Sequence, residues 1–384
     1  MSGVAERRAV VSPASGRSVQ GTSDTTAAAT WMPHLDAVRA VAVAAVVVRH
    51  FAPAATPAAE RLVYLGSLGV PLFFCLSGFL VTGILLDARA RAERAGAPLG
   101  GVWARFFARR ALRIFPLYYA VLLAAWCVDV PGVRATVGWH ATYLSNLLVA
   151  LTGVWLGPSS PLWSLAVEEQ FYLFWPGVVL FSGRRALPWV LAAFALAGPL
   201  FRLLAPSLGF VDPDLAGVVL LPGAFDTLAL GGLAAWGVRE APAATARLAV
   251  PALGVGGVVM VAWAAAHVAG LFDGTPFWAR SVQAVAFTGL VLVGARGFRG
   301  GLARVAELRP VVHLGKVSYG VYVLHLLLVP ALIGIGYDER GAWWRLAVVF
   351  PLTWALAALS MRWFEGPINE LKRYVPYLAR PPRA

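Results

Sequence analysis

Arg39 and His50 stand eleven positions apart inside LDAVRAVAVAAVVVRHF, residues 35–51. On an α-helix eleven steps are three turns plus roughly 20°, and about 16 Å along the axis. One face then carries a guanidinium toward one end and an imidazole toward the other. Asp36 and Arg49 lie in the same run. Ionisable groups in a membrane span are costly and usually face a cavity, a partner or a substrate. An imidazole there can act as a base toward a hydroxyl. The structural alternative is a snorkelling helix-end arginine and a histidine packed on a neighbouring helix.

Four further groups have the residue types for chemistry. In PSSPLWSLAVEEQFYLFWP, Glu168 and Glu169 are adjacent acids about 100° apart on a helix, so one of them is expected to point into the bundle. Capping alone does not require two acids and Gln170 running into an apolar span, so one carboxylate reads as functional. In RFFARRALRIFPLYY, Arg105, Arg109, Arg110 and Arg113 come at helical spacing before Pro116, with Arg109 and Arg113 as i, i+4 neighbours. They read either as an anchor for anionic lipid or as a clamp for phosphate. Asp226, in FDTLALGG, is a lone acid in apolar surroundings, and SYGVYVLH puts Tyr319, Tyr322 and His325 on nearby faces. His34, His140, His267 and His313 fall near span ends and read as packed residues. Ser77–Gly78 reads as a helix-packing or kink step, and Glu365 as a local ion pair with nearby arginines.

These residues must be positioned by membrane helices. The chain is 59% hydrophobic and 13% charged, with a mean hydropathy of +0.71. Soluble domains carry about twice that share of charge, so the fold expected is all-α and polytopic. Apolar runs at about 35–51, 66–86, 114–130, 163–181, 188–204, 216–237, 249–268, 280–295, 311–333 and 343–361 suggest ten spans. The net charge of +13 is explained by topology and not by nucleic acid. With ten spans, 24 of the 32 Lys and Arg residues fall on one side, which is therefore cytoplasmic and holds both termini. Counting 139–156 as a further span would invert every later loop, so that segment reads as re-entrant or interfacial. Cys75 and Cys127 lie in or beside apolar runs and offer neither a disulfide framework nor metal-ligand spacing. Residues 1–30 are expected to be a disordered cytoplasmic tail, 31–368 the membrane domain, and 369–384 a basic cytoplasmic tail. No appended soluble domain is expected, which places any chemistry in the membrane part.

LDAVRAVAVAAVVVRHF, FFCLSGFL, RRALRIFPLYY, WSLAVEEQFY, SYGVYVLH and FEGP, in that order, resemble the acyltransferase family 3 membrane proteins. The match runs from about residue 33 to 368, and its specificity lies in the ordered set, not in any one piece. The resemblance implies transfer of an acyl group, commonly acetyl, from cytosolic acyl-CoA to a hydroxyl of a sugar-containing acceptor. Surface polysaccharide, cell-wall glycan and glycosylated metabolites such as macrolides are the acceptor classes it implies. By the resemblance Arg39 and His50 are the family's arginine–histidine pair, with His50 the base. Glu168 is the acid of a serine–valine–glutamate element that Ser164 and Val167 also fit. Arg109, Arg110 and Arg113 match a basic motif that would contact the CoA phosphates. Asp36, Trp163, Ser164, Asp226, Tyr319 and His325 are accessory positions. The resemblance implies no metal and no tightly bound cofactor. Its partners are acyl-CoA, the acceptor and the bilayer. In two places the sequence departs from the pattern. Ala224 stands where members often carry an arginine two before the acid of the sixth span, and Arg49 precedes the histidine where an apolar or aromatic residue is common.

The chemistry expected is direct transfer, with CoA phosphates at the Arg109–Arg113 mouth and the thioester reaching toward His50. Glu168 would orient the acceptor hydroxyl or the imidazole, and a covalent acyl-enzyme on His50 or Ser164 stays open. The alternative class is a proton-coupled transporter or lipid-handling protein, for which a broken helix pair or a doubled pattern would speak.

Overall fold

The structure is a computed structural model that describes residues 32–52, 56–271, 276–325, 327–328 and 343–377, with the side chains of 343–345 excepted. The expected tail at 1–30 lies outside the described residues, as do 378–384 of the basic tail. Among the described residues every regular element is helical. A first helix, α1 (Pro33–Phe51), starts with proline at its first position and Asp36 in its first turn, both favoured there by missing amide donors and the helix dipole. A short α2 (Pro57–Tyr64) is capped by the Thr56 hydroxyl and runs through a tight turn into α3 (Gly69–Arg94).

α4 (Leu99–Cys127) keeps Pro116 inside it, so the arginine-rich stretch and the following apolar run share one helix of 29 residues. α5 (Val133–Ala141) and α6 (Ser145–Thr152) follow, then α7 (Leu162–Phe181) and α8 (Leu187–Leu204). α9 (Pro213–Val219) and α10 (Phe225–Glu240) are joined by a short turn, and the pair bends by 69°. α11 (Pro242–Val268), α12 (Phe277–Arg296), α13 (Gly300–Ala306), α14 (Arg309–Lys316), α15 (Ser318–Leu324), α16 (Trp343–Ser360) and α17 (Gly366–Glu370) complete the order.

Among the described residues six helical stretches are long and apolar enough to cross a bilayer, seven if the bent α9–α10 pair is one span. The ten spans expected are not reached, for identifiable reasons. α1 and α7 have 19 and 20 residues, about the length of a bilayer core. They carry Asp36, Arg39 and Arg49 in one and Glu168 and Glu169 in the other. The expected 311–333 run divides into α14 and α15 before leaving the described residues. The segment 139–156 contains the end of α5 and all of α6, and the nine- and eight-residue helices are each too short to span about 30 Å.

α1 and α3 are the interior elements. Leu35, Ala42, Val43 and Val47 of α1 are buried, as are Cys75, Val81 and Leu85 of α3. α8 and α11 instead expose Trp189, Leu196, Val250, Val255, Val258 and Val261, the apolar surface a helix presents to lipid. α3 and α10 meet backbone to backbone: a Cβ on Gly78 would lie 1.9 Å from the Leu228 carbonyl oxygen, and one on Gly231 would lie 2.2 Å from that of Cys75. Small residues permit such contact, and the packing reading of Gly78 holds.

Candidate active site

At one end of α1, Arg39 Nη1 donates to Asp36 Oδ1 at 2.7 Å, an i, i+3 pair in which Asp36 is buried. At the other end His50 is exposed, and its Nδ1 lies 2.8 Å from the Val46 carbonyl oxygen. A carbonyl only accepts, so the ring nitrogen must donate. Arg49 turns away from this face and lies over the Tyr64 ring of α2, its guanidinium carbon 5.5 Å from the ring centroid.

Against His50 sits His325, fully buried just after α15. The rings are 5.0 Å apart between centroids, and His325 Nε2 is 3.3 Å from His50 Nδ1. His325 Nδ1 is 2.6 Å from the Tyr322 carbonyl oxygen, so it too must donate. The Tyr322 hydroxyl and Ser164 Oγ are 2.6 Å apart, and both lie within hydrogen-bond reach of the Pro161 carbonyl. Ser164 is thus buried in a hydrogen-bonded pair with a tyrosine.

α7 continues this line. Ser164, Glu168 and Tyr172 are spaced i, i+4, i+8 and share one face, covering about 12 Å of its axis. Glu168 Oε1 accepts from the Ser77 hydroxyl at 2.7 Å, and the Tyr172 hydroxyl donates to Ser77 Oγ at 3.2 Å. Ser77, read from the sequence only as a packing step, therefore also holds the carboxylate. The Arg110 guanidinium lies 4.5 Å from the Tyr172 ring centroid, and Arg110 and Arg39 are the cations in electrostatic reach of Glu168. Glu168 has no hydrogen bond to His50 among the described residues; the imidazole is oriented by Val46 and His325.

One expectation is corrected here. Both carboxylates turn inward, not one of them. Glu168 faces Ser77 of α3, while Glu169 lies in reach of Arg110 and of Tyr118, Tyr119, Tyr143 and Tyr319. Arg110, projecting from α4, lies within reach of both acids, which two adjacent helix positions can share when a long cation comes from the side.

Arg113 is packed among Arg39, Arg110 and Glu365. Glu365 is buried and accepts from Ser360 at 2.9 Å, and the cation in its reach is Arg113 of α4 rather than an arginine beside it in sequence. Arg109 has a different setting. Its Nη1 donates to the carbonyls of Lys372 and Val375 at 2.8 and 3.0 Å, and its guanidinium lies over the Tyr377 ring at 5.0 Å. Arg105 donates to the Tyr377 carbonyl at 3.1 Å. The segment after α17 is therefore laid across the arginine face of α4.

The accessory positions divide. Tyr319 donates to the Ile114 carbonyl at 2.8 Å, and Trp163 packs edge-on against Phe74. Asp226 is not a lone acid. Arg202 of α8 reaches it through Nη2 at 2.6 Å and Nη1 at 3.2 Å, and Ser281 of α12 bonds the same carboxylate at 2.8 Å. The arginine absent at position 224 is thus supplied in space by a preceding helix. Arg202 was visible in the sequence only as a charge inside a span. Its pairing could be found only from the packing of α8 on α10.

This is a helical membrane protein that sets an exposed histidine, His50, on a buried one, His325, and carries an arginine–glutamate cluster further along. The acyltransferase family 3 model, an acyltransferase domain, matches residues 32–362, and the chain belongs to that family. It is similar to the peptidoglycan O-acetyltransferase OatA of Listeria monocytogenes, 26% identical over 371 residues, covering 88% of this chain and 56% of that protein. The O-acetyltransferase OatA of Staphylococcus aureus is 23% identical, with 88% and 57% covered. Nodulation protein 10 of Rhizobium leguminosarum bv. viciae is 29% identical, with 79% and 82% covered. The chain thus spans little more than half the length of the two OatA proteins. No solved structure matches it.

Proposed function

We propose that this chain is an integral-membrane O-acyltransferase that moves an acyl group, acetyl by likeness to the OatA relatives, from cytosolic acyl-CoA to a hydroxyl of a carbohydrate-containing acceptor. The observation that carries the reading is the state of His50. Its Nδ1 is committed to a carbonyl, so the neutral ring keeps its lone pair on Nε2, at an exposed position and with no hydrogen bond among the described residues. That is the form a general base requires.

In the reaction the acceptor hydroxyl gives its proton to His50 Nε2 as its oxygen attacks the thioester carbonyl carbon. The carbon–sulfur bond then breaks, and the thiolate takes the proton back from the imidazolium. The ester and free coenzyme A leave, and His50 returns to its starting form. The pyrophosphate end of the donor rests near Arg110 and Arg113, with Arg109 holding the carboxy-terminal segment that borders this mouth. Glu168, fixed by Ser77, balances Arg39 and Arg110 along the donor path. In this reading the mouth faces the cytoplasm, which the arginine-rich stretch of α4 supports, since basic residues concentrate on that side of a membrane protein. A cell-wall or other envelope glycan is the acceptor class that the relatives' names favour.

The test is coenzyme A release by purified protein in lipid nanodiscs, given acetyl-CoA and a panel of peptidoglycan fragments, polysaccharides and glycosylated macrolides. Acceptor-dependent release should fall by at least about 10²-fold in His50→Ala. A His50→Ala protein as active as wild type would refute the assignment.

A further inference from the structure

His325 sits beneath His50 with its one free ring nitrogen turned to it, and that geometry has a chemical meaning. The Tyr322 carbonyl at 2.6 Å can only accept, so His325 carries its proton on Nδ1 and its Nε2 is a lone pair. The same reasoning at Val46 puts the proton of neutral His50 on Nδ1. The contact between His50 Nδ1 and His325 Nε2, 3.3 Å, is therefore a donor facing an acceptor. The His50 Nδ1–H is shared between two acceptors, the Val46 carbonyl and the His325 lone pair. Each partner favours the tautomer that leaves Nε2 bare, and the opposite tautomer would set the His50 Nδ1 lone pair against both the Val46 oxygen and the His325 Nε2 lone pair.

We infer that His325 is a positioning residue that holds His50 in its Nδ1–H tautomer and accepts from the same N–H when His50 becomes an imidazolium. The inference rests on the acyltransferase reading for its catalytic consequence, though the tautomer itself does not. When His50 takes a proton on Nε2 the ring becomes positive, and an N–H bond to a neutral acceptor strengthens as its donor becomes charged. His325 is suited to this because it is fully buried. Its own proton is tied to a backbone carbonyl, so it cannot turn a donor toward His50 without breaking that bond. Tyr322 carries both duties that fix the site. Its carbonyl orients His325, and its hydroxyl bonds Ser164 on α7.

Two variants separate the positioning role from packing. His325→Leu removes the acceptor, and His325→Gln can return an oxygen near the Nε2 position. Each is assayed beside wild type and His50→Ala, after its thermal unfolding in detergent is shown to match wild type within a few degrees. His325→Leu should lose on the order of 10²-fold in kcat, with both KM values within about twofold of wild type, and His325→Gln should recover most of the loss. A fully active His325→Leu, a loss confined to KM, or a folded His325→Gln no better than His325→Leu would each overturn the inference. A second measurement does not depend on turnover: ¹⁵N spectra of histidine-labelled protein in nanodiscs at mildly alkaline pH, with His50 assigned by its loss in His50→Ala. Protonated Nδ1 and bare Nε2 in wild type, giving way to a tautomer mixture in His325→Leu, is the expected result. The reverse tautomer, or a spectrum unchanged by His325→Leu, would overturn the inference even if no acceptor is found. Conversely, a wild-type enzyme without turnover but with the expected tautomer would count against the proposed function alone.

Discussion

At the scale of the residue, the chemistry depends on which atom of each polar side chain is left available. His50 offers Nε2 because Val46 occupies Nδ1. Glu168 is held by the Ser77 hydroxyl at 2.7 Å. A hydrogen bond contributes about 0.5–1.5 kcal/mol net. Ser77→Ala should therefore lower kcat/KM by up to about tenfold through a freed Glu168, while Ser77→Thr, which keeps the hydroxyl, should stay nearer wild type. Steady-state kinetics with the acetyl donor varied checks this, and an unaffected Ser77→Ala would remove Glu168 from the donor path. Arg109 is bonded to backbone carbonyls of the chain's own carboxy-terminal segment, whereas Arg110 and Arg113 lie among other charged side chains. Arg110→Ala should therefore raise the KM for acyl-CoA. Arg109→Ala should first loosen residues 371–377, which limited proteolysis of that segment would report.

At the scale of the element, α7 connects the two ends of the site, and its far end needs an anchor. The last carbonyls of a helix lack amide partners of their own. Arg89 of α3, itself buried, supplies them from the side, donating through Nη1 to the carbonyls of Val179 and Ser182 at 2.8 Å each. Its Nε bonds Glu93 one turn on, and Glu93 also receives Arg184 from the α7–α8 turn. Arg89→Met keeps the bulk and removes the donors. It should destabilise the fold by about 1.5–3 kcal/mol, read as a lower unfolding temperature in detergent, with KM values unchanged. Lys would not replace arginine here, since one ammonium lacks the planar fork that satisfies two carbonyls and a carboxylate together.

At the scale of the molecule, the bent α9–α10 unit is fixed by the buried Arg202–Asp226–Ser281 cluster, which ties α8, α10 and α12 together. Removing one partner of a buried ion pair strands the other charge, at a cost of about 3–5 kcal/mol, whereas replacing both by apolar side chains of similar volume is often neutral. Asp226→Leu and Arg202→Met should each abolish a monodisperse peak on size exclusion after mild heating, and the double variant should restore much of it. A double variant as unstable as either single change would mean that the cluster does more than hold the helices together. The α3–α10 contact sets the other limit on the bundle. Gly78→Ala would drive a methyl into the Leu228 carbonyl, and backbone on both sides leaves it nowhere to go.

How much of this the sequence held can be seen residue by residue. The membrane character, the charged first helix, the arginine run of α4 and the paired glutamates were all legible, because hydropathy and helical spacing are local properties. So was the family, because its motifs occur in order. The number of full-length spans was not legible. A hydropathy pattern cannot show that α14 gives way to α15, or that charge-bearing α1 and α7 owe their place to internal partners and not to apolar length. The inward turn of both glutamates was not legible either, since it depends on Arg110 arriving from another helix. Asp226 read as lone because Arg202 is 24 residues away in sequence and comes within hydrogen-bond reach only by the packing of α8 on α10. The sequence by itself placed His50 eleven positions beyond Arg39 in the first apolar run. Only the tertiary structure decided which of its nitrogens is free, because that depends on two acceptors, one on its own helix and one 275 residues further along the chain.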